Sequence, residues 1–421
     1  MRGLSLGLLF ALLLAPVRAA ESPKDALAVL PPGQGGTLLA DYLLRECQKH
    51  FDARRKEVDA LTTADAVLAR QKAVRERWLA ALGPMPDRTP LNPRVVGTLD
   101  RDGYRIEKVV YESRPNHHVT ANLYIPTLGK GPFPAVLIPS GHSHNAKSAD
   151  YNQAAALLLA MHGFVALAYD PIGQGERVQT ISPDGKPLAW STTEHTLVDI
   201  GARLVGWSAA SFRIWDGLRS VDYLVSRSEV DPKRLGVTGC SGGGTLTSYL
   251  MATDERLVAA APSCYITTLE RLFATIGPQD GEQNIPNQVV DGIEHADYLL
   301  LHAPRPVLLL TATSDFFDIG GAWTTFREAK RLFSLLGAAE RVDLFENPGG
   351  HGYPPVQRVA MLHFMRRWLM GVDHARADLA LPEPALPLSQ DEELRVTQGG
   401  QVVPELKGRT VWDFTLDRAK Q

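Results

Sequence analysis

The rhythm of apolar and polar positions changes several times along the chain, and each change predicts a different element. From Thr37 to Leu82 the apolar residues Leu61, Val67, Leu68, Val74, Trp78 and Leu82 recur at helical spacing, and Gly83-Pro84 with Pro86 ends the pattern. A Pro- and Asn-marked linker, Thr89 to Pro93, leads into a strand-rich stretch. There Val119, Ala121, Leu123 and Ile125 alternate with Thr120, Asn122 and Tyr124, which predicts a half-buried antiparallel strand. Beyond Gly131-Pro132 come short continuous apolar runs at Ala135–Ile138, Val165–Tyr169, Leu235–Thr238, Leu257–Ala261, Val307–Thr311 and Val342–Phe345, as expected of strands covered on both faces. Helical patterns separate them: Tyr151–Met161, Phe212–Val225, Trp323–Leu336 and Val356–Met370. Strands alternating with helices predict an α/β fold with a doubly wound, mainly parallel sheet.

Two segments stand outside this alternation. Glu176 to Gly206 is long and follows a sheet strand, so it reads as a lid-like insert. The tail from Gly371 is Pro-rich and weakly patterned until Thr410–Phe414. The organisation expected is therefore a leader over 1–20, a helical extension over 21–93, a catalytic domain over 94–370 and a tail over 371–421. The leader is inferred from Arg2, the apolar run Leu4–Leu14 and a small-residue cleavage site at Val17-Arg18-Ala19 or Ala20. That run falls short of the ~20 apolar residues a spanning helix needs. The expectation is export to the periplasm or the medium, with no membrane span.

Composition narrows the function. Lys plus Arg is 44 and Asp plus Glu is 47, a net charge of −3, so the chain lacks the basic excess of nucleic-acid binders. Three cysteines provide no disulfide framework. Cys240 and Cys264, each just past one of two neighbouring strands about 4.8 Å apart, are either a bridged pair or two buried thiols, and Cys47 is left over.

The chemistry concentrates at Gly239-Cys240-Ser241-Gly242-Gly243, a Gly-x-Ser-x-Gly sequence between a buried strand and the helix-compatible run Thr245–Ala252. Small residues belong there because a nucleophile on a sharp strand-to-helix turn has little room around it. A phosphate-cradling loop would need a Lys-Ser/Thr pair, which is lacking. A serine needs a base, and the base an orienting acid, in the chain order Ser, Asp or Glu, His. Asp315 follows the strand Val307–Thr311, and His351 follows Val342–Phe345 within Gly349-Gly350-His351-Gly352. Asp318 is the rival acid. Asp280 and Glu282 are held in reserve and expected to line the substrate cleft. The backbone N–H of Gly242 is the first expected oxyanion donor. The second comes from the loop Pro139-Ser140-Gly141-His142-Ser143-His144, with His142 preferred over Ser143. His142-x-His144 is a spacing that metal sites use, but no acidic or Cys ligand set accompanies it, so no metal is expected. No cofactor is expected either.

With these residues in view, the chain resembles the α/β-hydrolase superfamily, and more narrowly bacterial exported acetyl xylan esterase-like proteins, from about Thr89 to Met370. The resemblance is carried by Gly141-His142-Ser143, Tyr169-Asp170-Pro171-Ile172-Gly173-Gln174-Gly175-Glu176-Arg177, Asp231-Pro232-Lys233-Arg234, Gly239 to Gly244 and Gly350-His351-Gly352. It implies the hydrolase fold and a serine esterase that removes acetyl or methyl groups from plant-type polysaccharides or related carbohydrates. Glucuronoyl esterases are similar around the nucleophile but place an Arg after the serine, where this chain has Gly242. A serine peptidase of the prolyl-oligopeptidase type is the alternative. Such enzymes usually carry a propeller before the core, whereas the stretch before Ala135 begins helical and has no blade repeat. A catalytically dead binding module fits poorly, since all three triad positions hold competent residues. Oligomeric state is not legible.

Overall fold

The computed structural model describes residues 36–372 and 383–421; the proposed leader and its cleavage site lie outside them. The chain divides into two units, residues 1–46 and 47–421. The first unit's described part is the beginning of α1 (Leu38–Asp59). Where one long helix was expected, α1 is followed by a separate α2 (Ala64–Leu82). The break has a local cause. Thr63 adopts an extended conformation and its hydroxyl accepts from the N–H of Ala66 at 3.2 Å, so α2 starts with its own cap.

The sheet-forming part runs β1 (Arg94–Arg101), β2 (Tyr104–Arg114), β3 (His117–Pro126), β4 (Phe133–Pro139), α3 (Asp150–Met161), β5 (Val165–Tyr169), α4 (Ser191–Arg203), α5 (Ala209–Val225) and β6 (Val230–Cys240). It continues with α6 (Gly242–Thr253), β7 (Leu257–Ser263), α7 (Leu269–Thr275), α8 (His295–His302), β8 (Val307–Ser314), α9 (Ile319–Leu335), β9 (Val342–Gly350) and α10 (Pro355–Met370). Among the described residues these strands form one nine-stranded sheet in the order β1-β2-β3-β5-β4-β6-β7-β8-β9. β1, β2 and β3 pair antiparallel, as do β3 and β5, and every pairing from β5 through β4 to β9 is parallel.

Successive residues of one strand feed different cores, which is why the strands read as unbroken apolar runs. Ala135 and Leu137 of β4 join a cluster with Trp78, Trp215, Tyr249 and Phe333, whereas Val136 and Ile138 join one with Leu157, Leu159, Met361 and Met365. The first core lies under α2, α5, α6, α8 and α9, the second under α3 and α10. β3 departs from the half-buried expectation because its polar positions are covered too. Thr120 and Asn122 are fully buried, and the Thr120 hydroxyl donates to Asp170 Oδ2 at 2.6 Å.

The chain also departs from expectation in its tail, which forms α11 (Asp391–Leu394), α12 (Val402–Leu406) and α13 (Val411–Ala419). This segment is tied to the loop after β5. Glu176 accepts from the backbone N–H groups of Val396 (2.9 Å) and Thr397 (2.7 Å), and the N–H of Val402 donates to its carbonyl at 2.8 Å. On its other side Glu176 shares Lys147 with Asp170, at 2.5 and 2.6 Å respectively, all three side chains being buried. Arg177, fully buried, reaches Asp216 of α5 at 2.8 Å. The Tyr169–Arg177 motif is thus a buried ionic knot joining β5, α5, the loop after β4 and the tail.

Candidate active site

The chain leaves β4 for β5 on one side and reaches β6 on the other, so the loops after β4 and β6 face each other where the strand order reverses. Open α/β sheets bind their ligands at such a place. Ser241 stands there between β6 and α6 at φ +60°, ψ −124°, a conformation a non-glycine residue adopts only under tertiary constraint. Its N–H donates to the carbonyl of Ser263 on β7 at 3.0 Å. The flanking glycines make the turn feasible. A Cβ on Gly239 would lie 2.5 Å from the Pro139 carbonyl oxygen, and one on Gly243 would meet the same atom.

Asp315 and His351 come together beyond β8 and β9. His351 Nδ1 and Asp315 Oδ1 are 2.8 Å apart, and the N–H of Phe317 donates to the same oxygen at 3.0 Å. The Asp315 side chain is 2% exposed and that of His351 24%, so the carboxyl is buried and the imidazole reachable. Phe316 packs on the imidazole with a ring separation of 4.2 Å. Asp318 is elsewhere engaged. It caps α9 through the N–H of Gly321 at 2.8 Å and pairs with Arg271 at 2.8 Å. No hydrogen bond joins the Ser241 hydroxyl to His351 here; such bonds are often long before substrate arrives. Cys264, next in sequence to Ser263, has its sulfur within 4.8 Å of the Asp315 and His351 ligand atoms, so Ser241's anchor on β7 adjoins the acid and the base.

In the loop after β4, the N–H of Ser143 is spent on the Gly141 carbonyl at 2.8 Å, while that of His142 has no partner among the described residues. Gln174 of the buried motif fixes this loop from behind, donating to the carbonyls of Gly141 and of Ser143 (3.2 Å). His142 and His144 are not brought together as a ligand pair, since His144 stacks on Trp190 with ring centroids 5.4 Å apart.

The reserve pair does not line a cleft. Asp280 is 7% exposed and Glu282 fully buried, because both are enclosed by cationic and imidazole groups. Glu282 Oε1 accepts from His142 Nε2 at 2.7 Å, and Asp280 Oδ2 lies 3.6 Å from the same nitrogen. His195, from the insert helix α4, faces Asp280 at 2.9 Å and the Ile172 carbonyl at 2.8 Å. Arg213 of α5 completes the group, 3.3 Å from Glu282 and 2.8 Å from His195. Burial raises the Asp280 carboxyl, while burial and then Arg213 push His195 well below the ordinary histidine range. Arg213 supplies this cluster with a cation of its own, so its carboxylates are compensated within the chain. Sequence reasoning missed His195 and Arg213. Only Arg213 left a signal, as a charged residue in the apolar stretch of α5.

Cys240 and Cys264 are free thiols in the structure. Cys264 turns at φ +49° and its thiol donates to the Gly352 carbonyl at 3.2 Å, so it is directed at the turn after His351.

A serine in a strained strand-to-helix turn at the switch point of this sheet, with an Asp-paired His beyond the following strands, decides the fold family. The chain has the α/β-hydrolase fold. The family description for acetyl xylan esterase matches residues 97–279 of this hydrolase, and that of the prolyl oligopeptidase family matches 213–370. Among curated proteins it is 26% identical over 307 residues to "Putative hydrolase YtaP" of Bacillus subtilis, covering 70% of this chain and 98% of that one. Among solved structures it is similar to "Methylesterase BT1017", with a TM-score of 0.71 and 22% identity over 89% of this chain and 80% of the other. A glucuronoyl esterase from Solibacter usitatus superposes with a TM-score of 0.54 at 18% identity, over 72% of this hydrolase and 93% of its own length. The esterase likenesses and the prolyl oligopeptidase likeness thus share the α/β-hydrolase core, the latter only in its second half.

Proposed function

We propose that this hydrolase is an exported serine esterase that removes acetyl or methyl ester groups from plant-type polysaccharides or related carbohydrates. Ser241 attacks the ester carbonyl, His351 takes the hydroxyl proton and returns it to the leaving alcohol, and Asp315 holds the imidazole in the required tautomer. The N–H groups of Gly242 and His142 receive the oxyanion. Hydrolysis of the acyl-enzyme repeats these steps with water as nucleophile and needs no cofactor.

The observation that carries this reading is the 2.8 Å His351–Asp315 contact in a chain whose strand-to-helix turn holds a serine at φ +60°. The esterase likeness spans 97–279, including the loop after β4 and the 169–177 motif, whereas the peptidase likeness is confined to 213–370, the half of the core that hydrolases of many specificities share. Release of acetate from acetylated xylan and acetylated monosaccharides, and of methanol from methylated pectin, should be compared with cleavage of an aminoacyl-arylamide. Turnover of one of the esters without the arylamide is expected; the reverse preference contradicts the proposal.

A further inference from the structure

Gln357 of α10 is a buried amide in an apolar place. It stands with Met361 and Met365 at i, i+4 and i+8, one stripe of the helix, and all three are fully buried. A third methionine would continue the stripe, whereas a buried amide costs desolvation unless both its ends are bonded. Both are. Oε1 accepts from the Ser263 hydroxyl at 2.8 Å, and Nε2 donates to the Thr311 carbonyl at 2.9 Å. Ser263 ends β7, and its own carbonyl receives the N–H of Ser241 at 3.0 Å. Thr311 lies on β8, the strand that leads to Asp315, and Gln357 stands in the first turn of the helix that follows His351. One amide thus joins the three segments that carry the serine, the acid and the histidine. A brace matters at this point of the sheet, because among the described residues β7 and β8 are in register at Ala260–Val307 and Ser263–Leu310 alone. Cys264 adds a weaker tie, its thiol donating to the carbonyl of Gly352, next to His351, at 3.2 Å.

We propose that Gln357 is a positioning residue of the esterase: it fixes the Asp315 and His351 loops against the anchor of the Ser241 turn. The inference rests on the reading of Ser241, His351 and Asp315 as the triad and adds a residue to it. Gln357 touches no reacting atom and takes no part in the proton transfers. Its effect is on distance. Ser263 bonds the Ser241 backbone on one side and the amide on the other, so a shift of α10 or of the β8 end changes the gap between imidazole and hydroxyl. A misplacement of about 1 Å between reacting groups can cost roughly 10² in rate.

The test is aryl acetate hydrolysis by the full chain in wild type, Gln357→Met, Ser263→Ala and the double variant, with circular dichroism of each. The residue labelled by an aryl phosphonofluoridate is located by mass spectrometry, and its rate of labelling is measured. Gln357→Met keeps the length and removes both bonds. It should lower kcat roughly 10- to 10²-fold with KM little changed, and slow the labelling of Ser241 in parallel, in protein that is as folded as wild type. Ser263→Ala removes one of the two bonds and should give a smaller loss, also in kcat, which decides the matter if Gln357→Met fails to fold. The double variant should be no slower than Gln357→Met, since the two changes break a shared bond. A folded Gln357→Met enzyme within about threefold of wild-type kcat, or a loss that falls on KM or on the folded fraction alone, overturns the proposal; so does a Ser263→Ala enzyme with unchanged kcat. Labelling at Ser241 in those cases leaves the triad reading intact. Wild type that is not labelled at Ser241 overturns both.

Discussion

At the scale of single residues the site is built on division of labour between neighbouring acids. Asp315 and Asp318 are three positions apart, yet one faces His351 and the other faces Arg271 and the start of α9. Substitution should separate these roles. Asp315→Asn keeps the shape but favours the wrong imidazole tautomer, so kcat for an aryl acetate should fall by about 10³–10⁴ with little change in thermal stability. Asp318→Asn weakens an N-cap and a half-exposed ion pair, which should cost about 1 kcal/mol of stability and leave kcat within a few-fold. Steady-state kinetics with thermal melts of both variants checks this, and a larger kinetic loss in Asp318→Asn would contradict the assignment.

At the scale of elements, the loop that carries His142 is held by the buried knot of Lys147, Asp170 and Glu176 together with Gln174. Removing the cation alone leaves two buried carboxylates without a counter-charge. Lys147→Met should therefore destabilise the protein by about 3–5 kcal/mol, measurable as a lower urea midpoint, and should detach the 383–421 segment, measurable as faster proteolysis there. An unchanged midpoint would mean that the knot does not hold the tail. Much of this architecture was legible beforehand. The runs Val165–Tyr169 and Leu257–Ala261 announced parallel strands because residues facing both cores had to be apolar. Gly239 and Gly243 announced the elbow, since a Cβ on either would strike the Pro139 carbonyl. The break before Thr63 was illegible because the apolar spacing resumes beyond it and only a side-chain cap marks the start of the second helix. The His142–Glu282–Arg213–His195 cluster was illegible for a different reason. Its members come from four separate segments, and no local pattern signals that a buried acid will meet a buried base.

At the scale of the whole molecule, buried ionisable groups set the response to pH. His117 is pushed down to about 4, and His295 and His302 each to about 3, all first by burial, from an ordinary value of 6.5. The folded state then holds fewer protons than the unfolded chain between these values. Stability is therefore full above about pH 6.5 and declines as pH falls toward 4. Glu294, raised by burial to about 7 from 4.5, opposes this, because its contribution is full below 4.5 and lost as pH rises to 7. Three histidines outweigh one carboxyl, so the melting temperature should fall between pH 6.5 and 4; a flat or rising profile would contradict the burial of these rings. In the proposed mechanism the sheet, the knot and the cores serve to hold Ser241 at its strained turn for an Asp-paired His. That claim is tested most directly by the rate of aryl acetate hydrolysis by Ser241→Ala against wild type, with matched circular dichroism spectra. The account predicts a loss of at least about 10⁴-fold with the fold intact, as expected when a triad loses its nucleophile; a folded Ser241→Ala protein hydrolysing near the wild-type rate would contradict it.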